Sequence, residues 1–335
     1  MFTKIVKNIH ESQIARFLVH VSSFTKQDVA KETGLSFPTV SKIIDDFVQR
    51  KMVLDLGLNH TAAGGRKPKQ YSINRDFAYG LILFFDRKKF DCEVINAVGT
   101  PVESFTQTVK AEGYLATIRQ IITQNMAQYP NLISVSIGVH GGVAKGKILY
   151  IDGYDELVHC DLKGVLEKEY PLEVTVENDM CTVVYGLACR KQLLEEETVI
   201  CLQIADNGPG CGILVHGKPL SGFVGLVGEV GYLPAWDGKT MQDIALAQFE
   251  NTNAVDYFAR LIASVCVFFN PRQITLYENP YVQDPARLQE ACRAYIPDLA
   301  IPQIELSPDY ETDFMSGLRK LALNSFYPSY QVIQE

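Results

Sequence analysis

Residues 25–52 read TKQDVAKETGLSFPTVSKIIDDFVQRKM, and their spacing sets the reading of the front of the chain. Thr25 is a good N-cap with Asp28 three residues on, so a short helix should begin there. Val29 and Ala30 give it an apolar side, and Gly34 supplies the left-handed residue that ends it. Ser36 caps a second helix, with Pro38 in the first turn, where a missing N–H costs nothing. Val40, Ile43, Ile44, Phe47 and Val48 recur every three or four residues and define one buried face. Thr39, Ser41 and Lys42 stand on the opposite face near its start. Two helices joined by a Gly-containing turn, the second with a polar leading end, form a helix-turn-helix pattern, although any solvated helical hairpin could share it.

The next segment separates the two readings. Residues 51–73, KMVLDLGLNHTAAGGRKPKQYSI, hold two short apolar runs around a Gly-rich basic tip. This is a two-stranded wing, with Gly64 and Gly65 at the bend and Arg66, Lys67 and Lys69 beside it. Cations on such a tip suit a narrow minor groove or phosphates. A winged helix is therefore expected over residues 1–75, preceded by a helix from about Val6 to His20. Its expected DNA-binding residues are Thr25, Lys26, Ser36, Thr39, Ser41, Lys42, Arg66 and Lys67. Ser36, Thr39 and Ser41 belong near base edges, whereas Lys42, Arg66 and Lys67 belong on phosphates or in a groove.

Charge is distributed accordingly. The 335 residues carry a net charge of −8, but residues 1–75 hold 12 Lys/Arg against 6 Asp/Glu, leaving the other 260 at −14. A basic head on an acidic body matches a DNA-binding module joined to something else. Hydrophobic residues at 47% and charged residues at 21% are ordinary for a globular chain long enough for two or three domains. No apolar run approaches the roughly 20 residues of a membrane helix, and MFTKIVKNIHES lacks the core of a signal peptide. The eight cysteines are scattered without a CxxC and read as buried free thiols, neither a disulfide framework nor a zinc site. A cytoplasmic protein without a membrane partner is expected.

From Tyr79 the pattern becomes alternating strands and helices. Strands are expected at YGLILFF, FDCEVINAVGTPV, ISVSIGVHGGV, LEVTVEND, VICLQI, CGILVHGK and QITLYEN. Helices are expected over 117–128, 162–170, 181–194, most of 241–269 and 314–324, with a short polar join at 74–77. This is an α/β body, with functional groups at strand ends. Two similar halves are conceivable but not demonstrable from the pattern.

Several stretches carry a family resemblance: GGRKP at 64–68, IGVHGGVAKGKI at 137–148, VENDM at 176–180, NGPGCGILVHGK at 207–218, GLVGEVGYL at 225–233 and FFNPRQITLYEN at 268–279. In this order the chain resembles the regulator branch of the ROK family (repressors, open reading frames and sugar kinases). The resemblance covers nearly the whole chain. It implies a winged helix-turn-helix followed, over 76–335, by a two-lobed actin-like (ribonuclease H-like) body of sugar-kinase type.

In the kinases of this family an E-N-D triplet carries the base that deprotonates the sugar, here matched by Glu177, Asn178 and Asp179. A plainer role for Asp179 is to cap the helix that follows. The E-x-G-H motif reads Glu229, Val230, Gly231, Tyr232, so a phenol replaces the imidazole that would touch sugar. The resemblance thus implies a carbohydrate-binding set of Gly141, Asn178, Asp179, Glu229 and Tyr232. The nucleotide side departs further. The D-x-G-x-T loop is missing from YGLILFFDRKKFD, where Phe84 and Phe85 should obstruct phosphate. Asp206 enters the second phosphate loop, Tyr277–Asn279 replaces the Gly pair beside adenine, and PAWDGKT (234–240) lacks the cysteines of the zinc motif.

The sequence thus points to a regulator, expected to be a repressor. It would bind operator DNA as a homodimer or a pair of dimers and would carry a non-catalytic kinase-like domain that senses a sugar, with no cofactor and no metal. The alternatives are a ROK sugar kinase with an accessory head, favoured by the intact triplet, and a body that only dimerises.

Overall fold

The computed structural model describes residues 2–58, 68–86, 88–110, 113–151, 154–193, 198–205, 208–249 and 253–327. In chain order its elements begin with α1 (Phe2–Leu18), α2 (Lys26–Thr33), α3 (Phe37–Gln49), β1 (Val53–Leu58) and β2 (Lys69–Ile73). Next come β3 (Tyr79–Asp86), β4 (Lys89–Asn96), β5 (Pro101–Thr108), α4 (Tyr114–Gln128) and β6 (Leu132–Val139). The hairpin β7 (Gly141–Ala144) and β8 (Lys147–Ile151) precedes α5 (Leu162–Glu169), β9 (Glu173–Asn178) and α6 (Asp179–Arg190). The chain continues through β10 (Thr198–Ala205), β11 (Gly208–Val215), β12 (Lys218–Pro219), α7 (Met241–Leu246) and α8 (Ala254–Phe269). It closes with β13 (Gln273–Tyr277), α9 (Pro285–Cys292), β14 (Gln303–Ser307) and α10 (Tyr310–Phe326).

These elements form two compact units. The first comprises 1–137, 165–175 and 319–335, the second 138–164 and 176–318. In the first, the start signals of α2 and α3 operate as their chemistry dictates. Thr25 and Asp28 form a reciprocal capping box, Gly34 takes φ 68°, and Ser36 accepts a hydrogen bond from the Thr39 N–H. Val40, Ile43, Ile44 and Phe47 turn the apolar side of α3 inward, joining Ile14 and Leu18 of α1 and Val29 of α2. Each such burial contributes about 1.5–3 kcal/mol. β1 and β2 pair antiparallel as the wing. The core beneath the helices continues into Ala97, Val98 and Phe77, and Tyr327 packs on it and donates its hydroxyl to the Ala97 carbonyl at 2.6 Å.

The sheet of the first unit has strand order β5-β4-β3-β6-β9, and that of the second β12-β11-β10-β13-β14. Each sheet places its first strand in the middle, two antiparallel followers on one side and two later strands on the other. The repetition that the sequence pattern could only suggest is present in the topology. In the second unit α6 and α10 cross at glycines: a Cβ on Gly186 would lie 1.7 Å from the Asp313 carbonyl oxygen, and one on Gly317 2.0 Å from that of Thr182. This close approach seats Arg190 on Asp313, whose side chain is wholly buried and also accepts the Tyr277 hydroxyl.

The sequence pattern missed β5, α9 and β14. It also ran β6 through His140 to Val143, whereas β6 stops at Val139 and Gly141 opens a separate hairpin. The expected helix over 241–269 is two, α7 and α8. All eight thiols are free; burial pushes Cys92 up to about 12 and Cys292 up to about 11, which leaves them protonated.

Candidate functional site

Two places gather the residues singled out above. In the head, the start of α3 presents Ser36, Phe37 and Pro38 to solvent, and Lys42 is exposed one turn later with no ion pair among the described residues. Ser36 Oγ and Thr39 Oγ1 lie 2.8 Å apart. Thr25, Lys26 and Ser41 are otherwise engaged. Thr25 spends its hydroxyl on the capping box, and Lys26 Nζ bonds Asp45 at 2.6 Å and Ser41 at 3.0 Å while lying over the Tyr71 ring. With only 16% of its side chain exposed, Lys26 braces α2 against α3 rather than offering a free cation. Phe37, 53% exposed beside Ser36, escaped the sequence reading because its position in the helical pattern gives no sign of its side. Arg66 and Lys67 lie outside the described residues.

In the second unit, Gly141, Asn178, Asp179, Glu229 and Tyr232 all line one cavity of roughly 130 Å³. The end of β9 and the start of α6 supply its centre. Asn178, not Asp179, caps α6: its Oδ1 accepts the Cys181 N–H at 3.1 Å, while its Nδ2 donates to the Gly141 carbonyl at 2.8 Å and to Asp179 Oδ1 at 2.9 Å. The expected capping role of Asp179 is thereby corrected, and its carboxylate is turned to other partners. Asp179 Oδ2 lies 2.8 Å from His140 Nδ1 and accepts the Tyr310 hydroxyl at 3.3 Å. Neither partner was foreseen. His140 hides in the HGG turn that the pattern read as strand, and Tyr310 lies 131 positions away in sequence.

Tyr150 arrives through the β7–β8 hairpin, opposite Gly142. A Cβ on Gly142 would stand 2.1 Å from the Tyr150 ring, so only glycine lets that ring lie flat across the strand. The Tyr150 hydroxyl is buried without a hydrogen bond of normal geometry. Burial first, then the nearby Glu229 carboxylate, raises its pKa far above the ordinary tyrosine value, so it stays a donor. Glu177 is not among the residues that line the cavity; burial raises its carboxyl above 4.5, partly offset by the Asn178 N–H. The lining holds two carboxylates, one imidazole, several amides and phenols, and no Lys or Arg among the described residues. Such a set suits a hydroxyl-rich neutral ligand and repels phosphate.

The two aromatics expected to obstruct phosphate differ. Phe85 is fully buried against Phe90 and Tyr114 in the core of its own unit, so it cannot serve as that obstruction, whereas Phe84 is half-buried. Asp206 lies outside the described residues. The described residues contain no group of three or more His, Cys, Asp or Glu placed to hold a metal, and no helix long and apolar enough to cross a membrane.

Residues 87–245 match the ROK family. A xylose repressor of Bacillus subtilis (strain 168) is 23% identical over 236 residues, covering 68% of this chain. The chain spans 61% of that relative's length. A crystal structure titled as a ROK family transcriptional regulator, homolog of E. coli MLC protein, superposes with TM-score 0.76 at 17% identity over 96% of this chain and 97% of that one. The ROK hexokinase from Thermus thermophilus superposes with TM-score 0.55 at 17% identity over 72% of this chain and 97% of that one. At these identities the structural likeness speaks for the fold alone, which is a mixed α/β, actin-like body behind a helix-turn-helix.

Proposed function

We propose that this ROK domain protein is a DNA-binding transcriptional regulator, acting as a repressor, whose kinase-like body senses an unphosphorylated sugar without phosphorylating it. One observation carries the reading: a single chain joins a helix-turn-helix with an exposed polar leading end to a carboxylate-lined cavity. The head spans about residues 1–75 and the body the remainder. Ser36, Thr39, Lys42, Arg66 and Lys67 meet DNA, and Thr25, Lys26 and Ser41 keep α2 and α3 in register for them. Gly141, Asn178, Asp179, Glu229 and Tyr232, joined by His140 and Tyr150, hold the sugar. The body is a pseudokinase on this reading. Its D-x-G-x-T loop is missing, and Tyr277 stands buried where the family's Gly pair would admit adenine.

A sugar can release DNA only as far as it prefers the non-binding state. D-xylose is the first probe, because the similar Bacillus protein is named a xylose repressor. Duplexes selected from a random library would be titrated with protein in the presence of a panel of sugars and sugar phosphates. A neutral sugar should lower DNA affinity in the wild type and have no effect on Asp179→Ala, while sugar phosphates stay inert. Steady ATP turnover with any sugar of the panel would instead establish the kinase reading, which the intact Glu177–Asp179 triplet favours.

A further inference from the structure

Beside the cavity runs the segment Ser221–Gly228, SGFVGLVG, whose apolar side chains point outward. Phe223 is 93% exposed, Leu226 53%, Val224 47%, and Tyr232, which also lines the cavity, 58%. Exposed apolar side chains gathered on one segment mark a binding surface more often than isolated ones do.

The segment is braced at three points. Gly222, Gly225 and Gly228 all have positive φ. A Cβ would lie 2.7 Å from Val227 Cγ2 at Gly222, 2.4 Å from the Val143 carbonyl oxygen at Gly225, and 2.1 Å from that of Cys211 at Gly228. The Cys211 N–H donates to the Gly228 carbonyl at 2.9 Å, and the Glu229 N–H to that of Leu226 at 3.2 Å. Val227, Gly228 and Glu229 face the cavity, so the exposed residues are carried on the wall of the cavity itself.

The interior and the rim have opposite chemistry. Inside are Asn178, Asp179, Glu229 and His140, which can hydrogen-bond hydroxyls; exposed Tyr232 lines the same cavity, and the turn that brings Gly222 against the lining residue Val227 carries exposed Phe223, Val224 and Leu226. At roughly 130 Å³ the cavity falls short of the ~300 Å³ at which pockets for drug-sized ligands begin, so it holds one small ring. A free monosaccharide would use the interior and leave the rim bare.

We propose that the ligand is a two-ring glycoside, with one sugar in the cavity and a second ring, sugar or aryl, lying with its apolar face on Tyr232, Phe223 and Leu226. This rests on the sugar-sensing reading of the cavity. It assigns the rim residues to recognition of the outer ring, and Tyr232 serves both parts. Stacking of a ring on aromatic side chains contributes about 0.5–1.5 kcal/mol, a gain of roughly two- to tenfold in affinity.

The test compares, by calorimetry on the full chain, the monosaccharide that binds best, its phenyl glycoside and a disaccharide ending in the same sugar. At least one two-ring ligand should bind about two- to tenfold tighter than the monosaccharide. The double variant Phe223→Ser, Leu226→Ser should lose that gain and keep the monosaccharide affinity. Phe223→Trp alone should keep the gain. A wild type with no gain, or a double variant that retains it, overturns the proposal while monosaccharide binding keeps the cavity reading intact. In that case the exposed segment serves a macromolecular partner or a second copy of the chain. No binding by any sugar overturns both readings.

Discussion

At the residue scale, Glu177 and Asp179 are two carboxylates separated by one residue and sorted by environment. Asp179 meets an imidazole and a phenol at the cavity, whereas Glu177 is half-buried and accepts the Asn178 N–H at 2.9 Å. Burial disfavours the charged form of Glu177, so its folded pKa lies above the ordinary 4.5. The folded state then binds this proton more tightly than the unfolded one. Stability contributed by Glu177 is therefore present below pH 4.5 and lost as pH rises through the raised folded value. Glu177→Gln keeps an oxygen for the Asn178 N–H and removes the charge. At pH 7 it should denature later than wild type, followed by fluorescence of Trp236, the single tryptophan, and the gap should close as pH falls below 4.5. A gap of constant size from pH 4 to 8 would show that the buried charge is not its source. The cavity was legible in part because short motifs name their own residues: Asn178, Asp179, Glu229 and Tyr232 each sit in a recognisable string. His140 and Tyr150 in the lining and Tyr310 behind Asp179 were not, because each arrives through a turn, a hairpin pairing or a helix crossing that no local pattern encodes.

At the scale of elements, α3 shows how one helix serves both stability and contact. Its apolar side is locked into the head, and Lys26 ties its outer side to α2 through Asp45 and Ser41. Two lysines separated by sixteen positions therefore have different tasks. Removing Lys42 should delete one phosphate contact, lowering the slope of log affinity against log salt by about 1. Removing Lys26 should weaken binding by loosening the helix pair and leave that slope unchanged. Titrations of Lys42→Ala and Lys26→Ala against one duplex at several salt concentrations separate the two; equal slope changes would return Lys26 to the phosphates. The caps of α2 and α3 could be read from the sequence because capping is a contract between residues three apart. The edge strands β5 and β14 and the short α9 could not. β5, PVESFTQT, alternates half-buried with exposed positions and has no fully buried residue, so it carries no apolar signal. β14 is recognisable as a strand only through its parallel pairing with β13.

At the scale of the whole molecule, a head with net charge +6 on a body of −14 would keep DNA, bound as proposed, on the head, because a duplex approaching the body would meet repulsion. One winged helix covers a single half-site, so a chain that regulates as proposed would gain affinity from two heads on one duplex, and we extend that proposal to a homodimer. In such a dimer the body would act as a ruler, setting the separation of the heads, and a sugar would act by changing which separation is favoured. Two heads held by a rigid pair of bodies must meet the same face of the duplex. Inserting about 5 base pairs between half-sites turns the second to the opposite face and should abolish the tight complex, whereas inserting about 10 restores the face and a large part of the affinity. A repressor whose heads bind independently, or one head per chain acting alone, would lose nothing at 5 base pairs. Gel-shift titration of the three duplexes distinguishes these cases, and on the dimer proposal adding the sugar should weaken the native spacing most.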